Sequence, residues 1–130
     1  MIIAVDFDGT IVQHRYPEIG RPVPGAIKWL RQFHRAGARL VLWTCRCNPT
    51  NDNEFSRACE WITSRNLGFV GFNDHSWRHS LSSKINATVY IDDHGFGVPL
   101  IWPSNHHRPY VDWSIVGPQV LEKIQIGERR

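Results

Sequence analysis

The first ten residues, MIIAVDFDGT, constrain this chain more than any other stretch. Ile2, Ile3, Ala4 and Val5 form a short continuous apolar run, the pattern of a strand buried on both faces of a parallel sheet, and the run ends in two acids, a glycine and a threonine. Asp6 and Asp8 are therefore expected at the C-terminal end of the first strand. That edge is where ligands bind in open α/β sheets, so a carboxylate pair there has a chemical reading. Two carboxylates one residue apart repel each other and lose solvation, and a bound cation is the simplest compensation. Taken alone, DxDG also fits a solvated turn in which Gly9 supplies the bend.

The rest of the chain repeats the alternation of strand and helix. Residues 11–22 carry Pro17, Gly20 and Pro22 and read as a loop or small hairpin lying over the acids. Pro24 suits a first helical turn, and Ala26, Ile27, Leu30, Phe33 and His34 recur at helical spacing until Gly37, with His34 expected at the edge of the core. A second strand is expected over 39–43, ending in Thr44, Cys45 and Arg46. A helix capped by Asp52 or Asn53 should follow, with Phe55, Ala58, Cys59 and Ile62 on one face. Further strands are expected over 69–72, 87–91 and 98–102, and a last amphipathic helix over 113–126. Lys84 precedes the fourth strand, and Asp92 and Asp93 end it. Strands alternating with helices imply a doubly wound parallel sheet with helices on both faces. At 130 residues and 42% hydrophobic, the chain suits one domain over 1–130.

Every polar cluster then falls on one edge: acids for a cation, and a hydroxyl and an ammonium for an anion. In order, DFDGT at 6–10, Thr44 within LWTCR, Lys84, and the IDD ending at Asp93 resemble the four motifs of the haloacid dehalogenase superfamily, over roughly the first hundred residues. The resemblance implies a Rossmann-like core, Mg²⁺ dependence and hydrolysis of a phosphate ester. It makes Asp6 the nucleophile that forms an aspartyl-phosphate and Asp8 the acid, then base, of the two steps. It assigns the metal to Asp6, Asp8 (through its backbone carbonyl), Asp92 and Asp93, with Asp93 either a ligand through water or the partner of Lys84. Thr44 and Lys84 would hold the phosphate, as would the backbone N–H groups after Thr44; Arg46 would reach either that phosphate or solvent.

Other features bound the function. The gaps that often hold a cap domain in that superfamily are short here, so the site is expected to be capless. An open site admits a small or a bulky phosphorylated substrate, on nucleic acid, protein or sugar, unless a second subunit of a homo-oligomer covers it. A net charge of +3 and the clusters around Trp77, Arg78 and His79 and at His106, His107 and Arg108 lean toward a polyanion or sugar. His94, beside the acids, is either near the leaving group or a solvated loop histidine. Cys45 and Cys47 form half of a zinc pattern with no second pair, and the odd count with Cys59 points to a reducing, cytoplasmic setting. No apolar run is long enough to span a bilayer, so no membrane partner is expected. The competing class is a receiver-like phosphotransfer or phosphate-binding module. Such a module places paired acids after its first strand and the phosphorylated Asp after its third, and the order here is different.

Overall fold

The computed structural model describes residues 1–48, 53–73, 84–104 and 107–128. Its elements run β1 (Ile2–Val5), α1 (Ala26–Arg35), β2 (Arg39–Leu42), α2 (Glu54–Thr63), β3 (Phe69–Phe72), β4 (Val89–Ile91), β5 (Leu100–Ile101), β6 (Tyr110–Val111) and α3 (Trp113–Glu128). The first four strands form a parallel sheet in the order β3-β2-β1-β4, so the apolar run at the N-terminus lies between two neighbours. All four β1 residues are buried. Continuous apolarity is explained by that position, since a strand covered on both faces has no side to turn to water. This is a Rossmann-like α/β fold.

Side-chain alternation divides the core in two. Ile3 and Val5 join Leu40 and Leu42 beneath all three helices, where Leu30 and Phe33 of α1, Ala58 and Ile62 of α2, and Trp113 and Val120 of α3 meet. Ile2, Ala4 and Val41 face the other way onto Ile85, with Trp43 and Ala87 packed beside it. Among the described residues no helix covers this second face, where the sequence pattern places one. Residues 74–83, with His75, Trp77, Arg78 and His79, lie outside the described residues. The chain steps outward from β1 to β2 to β3, and β4 then lies beyond β2 and β1, on the far side of β1. Ile85, upstream of β4, is buried on the second face.

Three expectations are corrected. The apolar run at 98–102 adds no strand to the parallel sheet. Instead Leu100 and Ile101 pair antiparallel with Val111 and Tyr110, which lie in a stretch with the composition of a loop. Asn53 makes no side-chain cap on α2, and Asp52 lies outside the described residues. Asn48 supplies the cap from upstream, its Oδ1 accepting from the N–H groups of Phe55 at 3.1 Å and Ser56 at 3.4 Å. His34 is exposed rather than at the core edge. No described helix is long and apolar enough to cross a membrane.

Candidate active site

β1 and β4 run side by side in register, Val5 opposite Ile91, and the N–H of Asp6 donates to the Ile91 carbonyl at 2.9 Å. Parallel pairing therefore brings the residues that follow each strand together at the C-terminal edge. Asp6, Asp8, Asp92 and Asp93 line one cleft of about 240 Å³, with His14, Tyr16, Cys45, His94 and Arg108 around it. Four carboxylates thus converge from sequence positions more than eighty residues apart.

Thr10 joins the two loops. It is fully buried, its hydroxyl donates to Asp6 Oδ2 at 3.1 Å, and the same oxygen accepts the Asp93 N–H at 3.1 Å. A threonine that uses both capacities of its hydroxyl fixes the rotamer of Asp6 relative to the second loop. Gly9 is required for a different reason. Its φ is +81°, and a Cβ there would lie 2.2 Å from His14 Nε2 and 2.3 Å from Asp93 Oδ2. The glycine of DFDGT therefore supplies the bend and also leaves space for the His14–Asp93 pair, whose atoms are 2.8 Å apart.

Crowding shows in the titration of the acids. Burial, then the charge of Asp92 and a carboxyl–carboxyl hydrogen bond with Asp93, push Asp6 up to about 8 from 3.8. Burial also raises Asp92. Like charges held together away from water disfavour ionisation, and a dication among them would reverse that effect. Asp92, Asp93 and His94 each offer a ligand atom within 4.8 Å of the others, the one such group of three among the described residues. Carboxylate oxygens such as those of Asp6, Asp92 and Asp93 are hard donors of the kind that could hold a divalent cation. Neither Cys45 nor Cys47 joins a ligand cluster among the described residues; both are exposed free thiols.

Arg46 is placed differently from its expected post on the phosphate. It is 2% exposed and holds Asp8 by two bonds, Nε to Oδ2 and NH2 to Oδ1, each 2.8 Å. The same guanidinium donates to the carbonyls of Pro17 at 3.0 Å and Glu18 at 2.7 Å, and lies between the Phe7 and Tyr16 rings. Tyr16 in turn donates to Glu54 at the start of α2. Arg46 is consumed in fixing Asp8 and in fastening the 11–23 hairpin over the site. A planar fork suits that task, because it satisfies a carboxylate and two carbonyls at once.

Three other expected groups also sit differently. The Thr44 hydroxyl accepts the N–H of Arg46 at 3.1 Å, so one backbone donor expected for phosphate is already used; the hydroxyl proton itself is still available. Asn73 at the end of β3 holds the Thr44 backbone through two bonds, 2.7 and 2.9 Å. Lys84 does not line the cleft: its Nζ lies 5.2 Å over the Tyr90 ring. Asp93 pairs with His14 rather than with Lys84. The basic side chains that do reach the cleft wall are His14, from the hairpin, and Arg108, from the β5–β6 connection and 3.4 Å from His94. His14, Thr10, Tyr16 and Asn73 carry no motif signal beyond Thr10's place in DFDGT, so spacing alone gave no reason to select them.

No family model and no curated protein matches the chain. The solved structure of a conserved protein from Bacteroides thetaiotaomicron is similar to it, at 36% identity over 95% of this chain and 91% of that one, with a TM-score of 0.73.

Proposed function

The chain belongs to the same family as that conserved Bacteroides protein, and from the cleft it carries we propose that it is a Mg²⁺-dependent phosphatase of the haloacid dehalogenase type, cleaving a phosphate monoester through an aspartyl-phosphate. The observation that carries this is the convergence of Asp6, Asp8, Asp92 and Asp93 at the ends of two adjacent parallel strands, with Thr10 orienting the first and Arg46 the second. In this reading the core is doubly wound and capless, with the hairpin at 11–23 as its cover.

Asp6 attacks phosphorus, the bond to the leaving oxygen breaks with its electron pair, and Asp8 passes a proton to that oxygen. Water then attacks the aspartyl-phosphate, Asp8 takes the water's proton, and phosphate leaves with Asp6 restored. Arg46 bonds each Asp8 oxygen once and so fixes the carboxyl plane, and each oxygen keeps a second lone pair for the proton transfers. Asp6, Asp92 and the Asp8 carbonyl would hold Mg²⁺, with Asp93 beside them; the ion supplies the positive charge that keeps Asp6 ionised against the phosphoryl oxygens. Thr44 would donate its hydroxyl proton to a phosphate oxygen. Lys84 would have to leave the Tyr90 ring to join it, and His14 and Arg108 are better placed to offset charge.

Phosphate release from a panel of esters, with Mg²⁺ or EDTA, tests the reading. Turnover is expected in wild type with Mg²⁺ and is abolished in Asp6→Asn, whose amide cannot attack. Asp8→Asn should retain part of its activity on esters with good leaving groups, where little protonation is needed. Metal-independent turnover, or turnover at wild-type rate in Asp6→Asn, would overturn the assignment.

A further inference from the structure

A second cavity, of about 400 Å³, adjoins the catalytic cleft and shares His14 with it as a common wall. Its other lining residues are Gln13, Arg15, Gly20, Arg21 and His107. No acid lines it, and among the described residues neither arginine has a carboxylate partner. The contrast with Arg46, whose charge is spent on Asp8, is direct. Two arginines lining one concave surface with no neutralising acid raise the local potential, and an anion is the ligand that relieves it.

The backbone makes this cavity a constructed one. Gln13 N–H donates to the Arg21 carbonyl at 2.8 Å, and Val12 bridges Pro22, so the two arms of the hairpin are paired where the arginines leave them. At Gly20 any Cβ would lie 2.1 Å from the Gln13 carbonyl oxygen, so close approach of the arms depends on glycine there. The two cavities also divide consecutive residues between them. Arg108 lines the catalytic cleft and its neighbour His107 the second cavity, while His14 lines both and its neighbour Arg15 only the second. The shared His14 wall makes the two cavities direct neighbours. Adjoining cavities of this kind suit two phosphate groups on one small scaffold.

We propose that the Arg15, Arg21 and His107 cavity is a subsite for a second phosphate, so that the substrate is a phosphomonoester whose leaving group carries another phosphate group. This rests on the phosphatase reading for what is cleaved, though not for what is bound. Arginine pairs with phosphate through two parallel donors, and the histidine adds a third direction of approach. The second phosphate can belong to a free bisphosphate or to the first phosphodiester of a nucleic-acid end, since both present the same anionic oxygens.

The test compares a nucleoside 5′-monophosphate, the corresponding 3′,5′-bisphosphate and a 5′-phosphorylated dinucleotide as substrates with Mg²⁺. A kcat/KM for the bisphosphate at least about tenfold above the monophosphate is expected from charge-assisted bonds at the subsite. In the Arg15→Ala/Arg21→Ala variant the ratio should fall close to one, and using a ratio removes any general loss of folded enzyme. A gain shared by the dinucleotide identifies a nucleic-acid end as the source, and a gain confined to the bisphosphate identifies a small molecule; either assigns the subsite. A ratio near one in wild type, or a ratio unchanged in the variant, overturns it. Should no ester be turned over, the phosphatase reading fails and calorimetry decides the subsite separately. Bisphosphate binding about tenfold tighter than monophosphate, lost in the double variant, would then support it, and equal binding would overturn it.

Discussion

Burial and the neighbouring Asp92 carboxylate hold Asp6 protonated up to about pH 8, where an exposed aspartate would have ionised four units lower. Between those limits the metal-free folded state binds a proton that the unfolded chain has released. The stability this gives is complete below the unfolded value and is lost as pH rises through 8. EDTA-treated protein should therefore melt at progressively lower temperature from pH 6 to 8.5. Asp6→Asn should flatten most of that slope and stabilise the metal-free protein at pH 8.5 by on the order of 2 kcal/mol, while Asp92, shifted the same way, leaves a smaller residue. A slope unchanged by the substitution would remove Asp6 as its cause. Arg46 makes a kinetic prediction. Arg46→Lys keeps the charge but cannot hold both Asp8 oxygens and two carbonyls, so kcat should fall roughly 10- to 100-fold with little change in KM. A rise in KM at constant kcat would instead put Arg46 on the substrate phosphate. The acids were legible from DFDGT and IDD because strand periodicity places them on one edge. The true post of Arg46 was not, because its partners Asp8, Pro17 and Glu18 lie almost thirty or more positions away and only the folded hairpin delivers them.

The elements followed from local pattern wherever one face was apolar. β1, α1 and β3 appear where the runs and the 3.6-residue spacing of Ala26, Leu30 and Phe33 put them, because burial decides both pattern and structure. The start of α2 depends on something spacing does not encode. Its N-cap residue, Asn53, sits at φ 54° with no side-chain capping bond, and Asn48, earlier in the sequence, accepts from the N–H groups of Phe55 and Ser56. Asn48→Ala should cost about 1 kcal/mol, the usual worth of a helix cap, measured by urea denaturation. Asn53→Gly should be neutral or stabilising, since glycine adopts positive φ without strain. The reverse ranking would show that Asn53 caps the helix in solution. β5 and β6 fail to join the parallel sheet for a related reason. An apolar run such as Leu100 and Ile101 specifies a strand, whereas its partner is chosen by tertiary packing, here by Tyr110 and Val111.

At the scale of the whole molecule, the C-terminal segment closes onto the first motif. Val111 N–H donates to the Gly9 carbonyl at 3.0 Å, and the Trp113 indole N–H donates to the Thr10 carbonyl at 2.7 Å. Trp113 is fully buried against Phe33, their ring centroids 6.1 Å apart, so one side chain both fills the core between α1 and α3 and holds the turn that carries Asp6 and Asp8. The last residues match no motif, yet they satisfy two carbonyls of the loop on which the proposed chemistry depends. Trp113→Phe should keep much of the ring packing while leaving the Thr10 carbonyl without its donor. The expected loss is ~1–3 kcal/mol of stability, together with a lower kcat, because the Thr10 hydroxyl positions Asp6. Val120→Ala, in the same helix and the same core, removes apolar volume away from the turn and should cost a comparable ~1–3 kcal/mol with kcat unchanged at a temperature where both variants are folded. Equal effects of the two substitutions on kcat would mean that α3 supports the site only through global stability. A fall confined to Trp113→Phe would tie the C-terminal helix to the geometry of the nucleophile.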